Sequence, residues 1–365
     1  MAVHPPEFEA WLEDARAHMA AMASPAAAGP GSDLERLRRA YLDLLKLALC
    51  DLAGASTQSV GAMLDGSVIS RELRGDDLRL RVAGMDWPLQ GLTMIGLNRL
   101  DHLQSCVESV LDEGIDGDVI EAGAWRGGAA IFIRALLDTR GDERTVWVAD
   151  SFQGFPATDG SDDDAARLGS YEFLSVPVEE VRANFARFGC EQNVRFVPGF
   201  FEETLGTLAG RRWSVLHLDA DTYDATRLAL EHLYPGLAVG GYVVVDDYGT
   251  VRGCREAVDE FRRGNGIAEP LEKVDPMCIR WRRQSEAPIA APAHAGDPHE
   301  SIAPAVGHAA RRPVPTAREV ALQDELDASR KRLAAVEAEL ERLKGAPWRG
   351  ARAWLRRRRE HGAPR

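Results

Sequence analysis

Gly240-Gly241-Tyr242-Val243-Val244-Val245-Asp246-Asp247 decides how this chain is read. A valine run opened by glycines and closed by two acids predicts a buried strand with carboxylates at its C-terminal end. A second apolar run, Ser214-Val215-Leu216-His217-Leu218, also ends in an acid, Asp219. A third, Asp118-Val119-Ile120, runs into Glu121-Ala122-Gly123-Ala124-Trp125-Arg126-Gly127-Gly128, a glycine-rich turn ahead of a helix. In open α/β sheets the ligand crevice lies beyond the C-terminal strand ends, so these ends predict one shared site.

Outward from these ends the pattern alternates. After Val119-Ile120 come a helix over 129–137, the run Thr145-Val146-Trp147-Val148-Ala149 and a polar loop over 154–170. A helix over 178–188 leads to Val194-Arg195-Phe196-Val197, a helix over 225–233 follows Asp219, and another spans 253–263. Strands alternating with helices predict an α/β fold built on a doubly wound, mostly parallel sheet over residues 34–283. N-terminal helices are expected to cap it. In 34–52 the residues Leu37, Tyr41, Leu44, Leu45, Ala48 and Leu52 recur at helical spacing, and 92–113 holds a second such stretch. Residues 1–33 read as peripheral, with Phe8, Trp11, Leu12 and Ala15 on one helical stripe.

Composition changes near Gln284. Residues 284–316 are rich in Ala, Pro and His without periodicity, the composition of a disordered linker. Over 317–345, Leu322, Leu326, Ser329, Leu333, Val336, Leu340 and Leu343 step alternately by four and three. That seam predicts a coiled-coil helix that self-associates or binds a coiled-coil partner. The basic tail, 346–365, carries Trp348, Trp354 and the run Arg356-Arg357-Arg358-Arg359, suited to a weak contact with an anionic surface.

A chain of 365 residues with 45% hydrophobic content can bury a large core. Its net charge of −13 argues against nucleic-acid binding. The five cysteines are scattered without a C-x-x-C pair, which reads as reduced thiols in a cytoplasm. The N-terminal residues show neither a basic start nor an apolar run of the secretory kind, and no run is long enough to span a membrane.

The turn Glu121-x-Gly123-x-Trp125-x-Gly127-Gly128 sits between strand and helix, where glycines let a ligand approach the backbone and Glu121 can accept hydrogen bonds from it. It is neither G-x-G-x-x-G nor a P-loop, which disfavours NAD and ATP. The bland alternative is a plain turn. Asp150 ends the next strand, where an acid commonly holds ribose hydroxyls; a turn or helix-cap acid is the alternative. Ser151 opens the irregular loop beside it. Gly199 and Phe200 end the following strand and are placed to lie against an adenine ring, unless Phe200 or Phe201 simply joins the core.

Asp219, Asp246 and Asp247 carry the strongest chemical signal. Neighbouring carboxylates repel unless a cation or basic side chain compensates, and all-oxygen donors suit Mg²⁺, Mn²⁺ or Ca²⁺. Helix capping is the alternative, by Asp246 or Asp247 for the next segment and by Asp221 or Asp224 for the helix after Asp219. His217 shares the face of Asp219 and is either a base or a core histidine. The acidic run over 159–164 reads as a solvated loop whose position also suits a lid.

These blocks resemble the macrocin O-methyltransferases, the TylF/MycF-like enzymes that methylate sugar hydroxyls of macrolides. The resemblance runs from about Tyr41 to Trp281. It rests on Asp86-Trp87-Pro88, Thr93-Met94-Ile95-Gly96-Leu97-x-Arg99-Leu100-Asp101, the glycine turn, Val148-Ala149-Asp150-Ser151-Phe152-Gln153-Gly154, Leu218-Asp219-x-Asp221-x-Tyr223 and Gly240 to Gly249. It implies a class I, Rossmann-like methyltransferase fold, S-adenosylmethionine as donor, and Mg²⁺ held by Asp219, Asp246 and Asp247. The residues expected around the cofactor are Glu121, Gly123, Trp125, Gly127, Asp150, Ser151, Gly199, Phe200 and Asp219. Ala122 and His102 depart from the Thr and Asn of the family pattern, and the chain beyond 284 is foreign to it.

The expected chemistry is methylation of a hydroxyl on a small-molecule or glycan acceptor with neighbouring hydroxyls. The metal would lower the hydroxyl's pKa and orient it. Asp219 would take the proton, with His217 in reserve. Methylation of a catechol and a non-catalytic scaffold role are the competing readings.

Overall fold

The computed structural model describes residues 10–15, 17, 32–54, 56–62, 68–156 and 168–286. The chain divides into two units, Met1–Asp297 and Pro298–Arg365, and everything described lies in the first. The acidic run over 159–164, the coiled-coil helix over 317–345 and the basic tail over 346–365 lie outside the described residues, as does all but 284–286 of the expected linker.

Seven strands form one sheet in the order β6-β5-β4-β7-β8-β10-β9. Here β4 is Asp118–Ala122, β5 Val146–Asp150, β6 Val194–Pro198, β7 Trp213–Leu218, β8 Leu237–Val245, β9 Glu272–Lys273 and β10 Ile279–Arg282. Strands β4 to β8 pair in parallel, and β10 runs antiparallel between β8 and β9. The expected doubly wound, mostly parallel sheet is therefore present. Its helices are α1 (Asp33–Leu49), α2 (Gly96–Asp112), α3 (Gly128–Arg140), α4 (Val178–Arg187), α5 (Tyr223–Leu233) and α6 (Arg252–Gly264). One apolar cluster joins α1, α2, α3 and α4 to one sheet face; a second joins α5 and α6 to the other. Every residue of β7 is buried, as a strand covered on both faces requires.

Register brings the acids together. Leu218 of β7 pairs with Ala122 of β4 and with Val245 of β8. One residue further on, the Asp219 N–H donates to the Ala122 carbonyl at 2.9 Å and the Asp246 N–H to the Leu218 carbonyl at 3.0 Å. Asp219 and Asp246 thus leave adjacent strands at the same height.

Three features differ from expectation. An antiparallel sheet, β2-β1-β3, precedes α2, with β1 at Thr57–Ala62, β2 at Val68–Leu73 and β3 at Trp87–Pro88. Its strand Thr57-Gln58-Ser59-Val60-Gly61-Ala62 is largely polar, so it carries no period to read. In α1 the face that packs is Leu42, Leu45, Lys46 and Leu49, while Leu37, Tyr41 and Leu44 are exposed by 68%, 45% and 60%. Apolar residues occur nearly all round this helix, so spacing did not select the buried side; Lys46 follows Asp101, which it meets at 2.5 Å. Finally, Trp11, Leu12 and Ala15 are buried in the first cluster, so this part of the stretch expected to be peripheral belongs to the core.

Candidate functional site

A cavity of about 1200 Å³ opens at the C-terminal strand ends. Glu121, Gly123 and Trp125 line it at and beyond the end of β4, Asp150 and Ser151 at and beyond the end of β5, Phe200 after β6, Asp219 after β7, and Asp246 and Asp247 after β8. Gly127, Gly199 and His217 are not in the lining.

The glycines explain part of that difference. Gly123 has φ +88°, and an added Cβ would stand 1.8 Å from the Asp219 carbonyl oxygen. A Cβ on Gly127, at φ +82°, would reach Val181 and Phe185 of α4 at 2.8 and 2.9 Å, and one on Gly128 the Leu92 carbonyl oxygen at 2.4 Å. The turn is glycine-rich because protein packs against it, not because a ligand alone must approach it. Gly199, at φ +133°, similarly faces Thr204 at 2.8 Å.

Asp150 organises the loops that follow β4 and β5. Its Oδ2 accepts from the Ala124 and Trp125 N–H groups at 2.7 and 3.2 Å, and its Oδ1 from the Phe152 N–H at 2.7 Å. Trp125 and Phe152 have φ of +46° and +55°, values that L-residues rarely adopt without such restraint. Burial raises the Asp150 pKa, and these N–H donors oppose the rise. The Ser151 hydroxyl donates to the Gly154 carbonyl at 2.6 Å and so closes the adjoining turn.

Glu121 is turned inward. Its Oε2 accepts the Ala130 N–H at 2.9 Å, and its Oε1 lies 3.2 Å from Nδ1 of His217, an ion-pair distance off the hydrogen-bond line. Burial raises the Glu121 pKa; for His217 burial pulls the pKa down, but Glu121 outweighs it and raises it. His217 is 1% exposed. It is a buried companion of Glu121 outside the cavity lining, the core-histidine alternative of the sequence reading rather than the reserve base.

Asp219, Asp246 and Asp247 bring one carboxylate oxygen each within 4.8 Å of one another. The capping alternative does not hold. The N-cap of α5 is Thr222, whose hydroxyl accepts from the Ala225 N–H, and Val251 precedes α6 without a side-chain cap. Burial, followed by the charges of Asp246, Asp247 and Asp221, raises the Asp219 pKa well above the ordinary carboxylate value. Burial, reinforced by Asp246, pushes Asp247 up to about 6. Oδ1 of Asp246 and Oδ2 of Asp247 are buried without a hydrogen-bond partner. Oxygen-only donors, orphaned acceptor atoms and crowded like charges fit a hard divalent cation.

Two charged residues here escaped the sequence reading. Arg99 of α2 contacts Asp246 Oδ2 through Nη1 at 2.5 Å and Asp275 Oδ2 through Nε at 2.6 Å. Arg99 is 3% exposed, and although burial lowers its pKa, the two carboxylates raise it on balance. A charged residue among the buried positions Leu97, Leu100 and Leu103 is a signal of a buried partner, but spacing names no partner. An aromatic wall was also missed. Trp87, which lines the cavity, has ring-centroid distances of 5.4 Å to Tyr171 and 5.1 Å to Phe173. The Trp125 indole donates to the Phe173 carbonyl at 3.0 Å and ties this wall to the cofactor turn.

Residues 40–283 match the family described as Macrocin-O-methyltransferase (TylF). The chain is 44% identical over 255 residues to the 8-demethyl-8-(2,3-dimethoxy-alpha-L-rhamnosyl)-tetracenomycin-C 4'-O-methyltransferase of Streptomyces olivaceus, covering 68% of this chain and 94% of that protein. It is 40% identical to the mycinamicin III 3''-O-methyltransferase of Micromonospora griseorubida, covering 67% of this chain and 96% of that protein. The solved structure of the O-methyltransferase NovP superposes with a TM-score of 0.60 at 38% identity, covering 68% of this chain and all of that one (100%).

Proposed function

The chain belongs to the macrocin-O-methyltransferase family, and from that premise we propose that it methylates a sugar hydroxyl of a natural product or glycan with S-adenosylmethionine and Mg²⁺. The observation that carries the reading is the convergence of Asp219, Asp246 and Asp247 on the cavity that Asp150 and the Glu121 turn also line. The rhamnosyl group in the name of one relative's acceptor supports the sugar reading. So does the Trp87 wall, because an aromatic ring suits the C–H face of a pyranose.

Asp219, Asp246 and Asp247 would hold the cation. Bound there, it would supply Lewis-acid polarisation of the acceptor hydroxyl. Asp150 and the Ala124–Trp125 backbone would hold the donor's ribose, and Phe200 its adenine. Asp219, which lines the cavity beside the other two acids, takes the hydroxyl proton. The acceptor oxygen attacks the donor's sulfonium methyl, the C–S bond breaks as the C–O bond forms, S-adenosylhomocysteine leaves and the hydroxyl proton goes to Asp219; holding both reactants in line supplies much of the acceleration. Glu121 and His217 keep β4 and β7 in register beneath the reacting atoms.

Beyond the catalytic domain, the seam from Leu322 to Leu343 supports self-association or a coiled-coil partner. The arginine run over 356–359 supports a weak anionic-surface contact. Among the described residues no helix is long and apolar enough to cross a membrane. We place the enzyme in the cytoplasm, where its donor is made and buried thiols stay reduced.

The test uses purified full-length protein, labelled S-adenosylmethionine and a panel of rhamnosides and catechols. Label should reach a glycoside, stop with EDTA and return with Mg²⁺. Asp247→Asn should lower turnover by roughly a hundredfold or more while circular dichroism is unchanged. Labelling that ignores EDTA would remove the metal; labelling of catechols alone would move the acceptor class.

A further inference from the structure

Three carboxylates with oxygens within 4.8 Å of one another repel unless bound protons or a nearby positive charge compensate. Two cations line the cavity among the described residues, Arg99 and Arg227. Arg227 is engaged away from the triad, with Asp224 at 3.4 Å and Glu231 at 2.8 Å. Arg99 touches the triad itself, on Oδ2 of Asp246.

The contact is held from behind. Oδ1 of Asp275 accepts the Met277 and Cys278 N–H groups at 2.7 and 2.8 Å, which fixes this carboxylate in the turn before β10. Oδ2 of Asp275 accepts Arg99 Nε at 2.6 Å, and Arg99 in turn holds Asp246. Asp246 is left with Oδ1 buried and unpartnered, and Arg99 Nη2 is likewise without a hydrogen-bond partner.

Resting on the cation site assigned above, we propose that Arg99 is a positioning residue and resident counter-ion of that site. Through Asp275 it holds Asp246 so that one oxygen is committed and the other is free for the ion. Its charge keeps the triad assembled before an ion arrives. The same charge opposes the ion that arrives, because a buried pair of positive charges is weakly screened. Asp246 retains its backbone anchor on Leu218 without the arginine, so removing the charge outweighs the lost orientation. Arg99 thereby holds ion affinity down and lets the ion exchange.

The experiment is Mn²⁺ binding to the full chain, read by the electron-spin resonance of free Mn²⁺, with melting curves at zero and saturating Mn²⁺. No turnover is measured. Arg99→Met and Arg99→Gln should bind Mn²⁺ about tenfold or more tightly than wild type. Without ion they should melt lower, and they should gain more on ion addition than wild type does. Arg99→Lys keeps the charge and should stay within about threefold of wild-type affinity. Should one neutral variant fail to fold, the other and the lysine variant still decide. Wild-type or weaker binding by a folded neutral variant, or a lysine variant that behaves like the neutral ones, overturns the counter-ion role. Absence of Mn²⁺ binding to wild type removes the cation site itself, and this inference with it.

Discussion

At Gly123 there is no space for a side chain, because the Asp219 carbonyl lies where a Cβ would be, 1.8 Å away. Gly123→Ala therefore has to push β7 from β4 at the height of the acids, and its φ of +88° is strained as well. We expect a loss of about 2–4 kcal/mol in urea unfolding and no measurable donor binding by calorimetry. A variant with wild-type stability would show that the turn relaxes. Asp247 gives a pH test. Its folded pKa, about 6, is raised above the ordinary 3.8, so the folded state holds the proton more tightly than the unfolded state. The contribution to ion-free stability is present below 3.8 and is lost as pH rises through about 6. Metal affinity moves oppositely, because the ion must displace that proton. Mg²⁺ affinity should weaken up to about tenfold per pH unit below about 6, and affinity that is flat across that range would contradict the assignment. The three clustered acids were legible because two are adjacent and the third ends a matching strand. Arg99 and Asp275 were not, since they are 176 residues apart and meet only through the fold.

The ends of β4 and β5 are laced together by a single carboxylate, that of Asp150. It takes N–H groups from both connecting loops and restrains two residues of positive φ, Trp125 and Phe152. Asp150→Ala frees all three N–H groups and both strained residues at once. We expect the Kd for S-adenosylmethionine to rise about tenfold or more, with a smaller change in acceptor KM. Asp150→Asn retains one carbonyl acceptor and should fall between. An unchanged Kd for the alanine variant would reduce Asp150 to a turn residue. Elements of the sheet that alternate with helices were readable from their apolar runs. Strand β10 was not: Ile279-Arg280-Trp281-Arg282 places Ile279 and Trp281 inward and its arginines outward, but four residues make too short a period to stand out. In α1 the helix was legible but its buried face was not, because Leu42 and Leu44 are both apolar and only Leu42 packs.

For the whole molecule, the sheet fixes where the catalytic domain ends. The composition change near Gln284 marks the boundary in sequence, yet Arg283 belongs inside it. The Arg283 N–H donates to the Gly241 carbonyl at 2.9 Å, and the Gly240 N–H returns the bond to Arg283 at 2.8 Å. Arg283 is 7% exposed, and its guanidinium donates to the carbonyls of Tyr234 and Leu237 at 3.2 and 2.5 Å. Arg283 thus satisfies carbonyls at the start of β8, the strand that leads into Asp246 and Asp247, and among the described residues the cavity lining ends at Met277. A stop after Glu286 should leave the melting temperature within a few degrees and methyl transfer within about threefold of the full chain. A stop after Trp281 removes Arg282 and Arg283 and leaves buried carbonyls unpaired, so it should lower the melting temperature by about 5 °C or more. Sedimentation of the chain stopped after Glu286 addresses the seam from Leu322 to Leu343 in the same preparation. A particle mass that falls by more than the deleted residues places self-association in the removed segment. Unaltered association together with collapsed activity would assign that segment to the catalytic unit and refute the boundary drawn at Arg283.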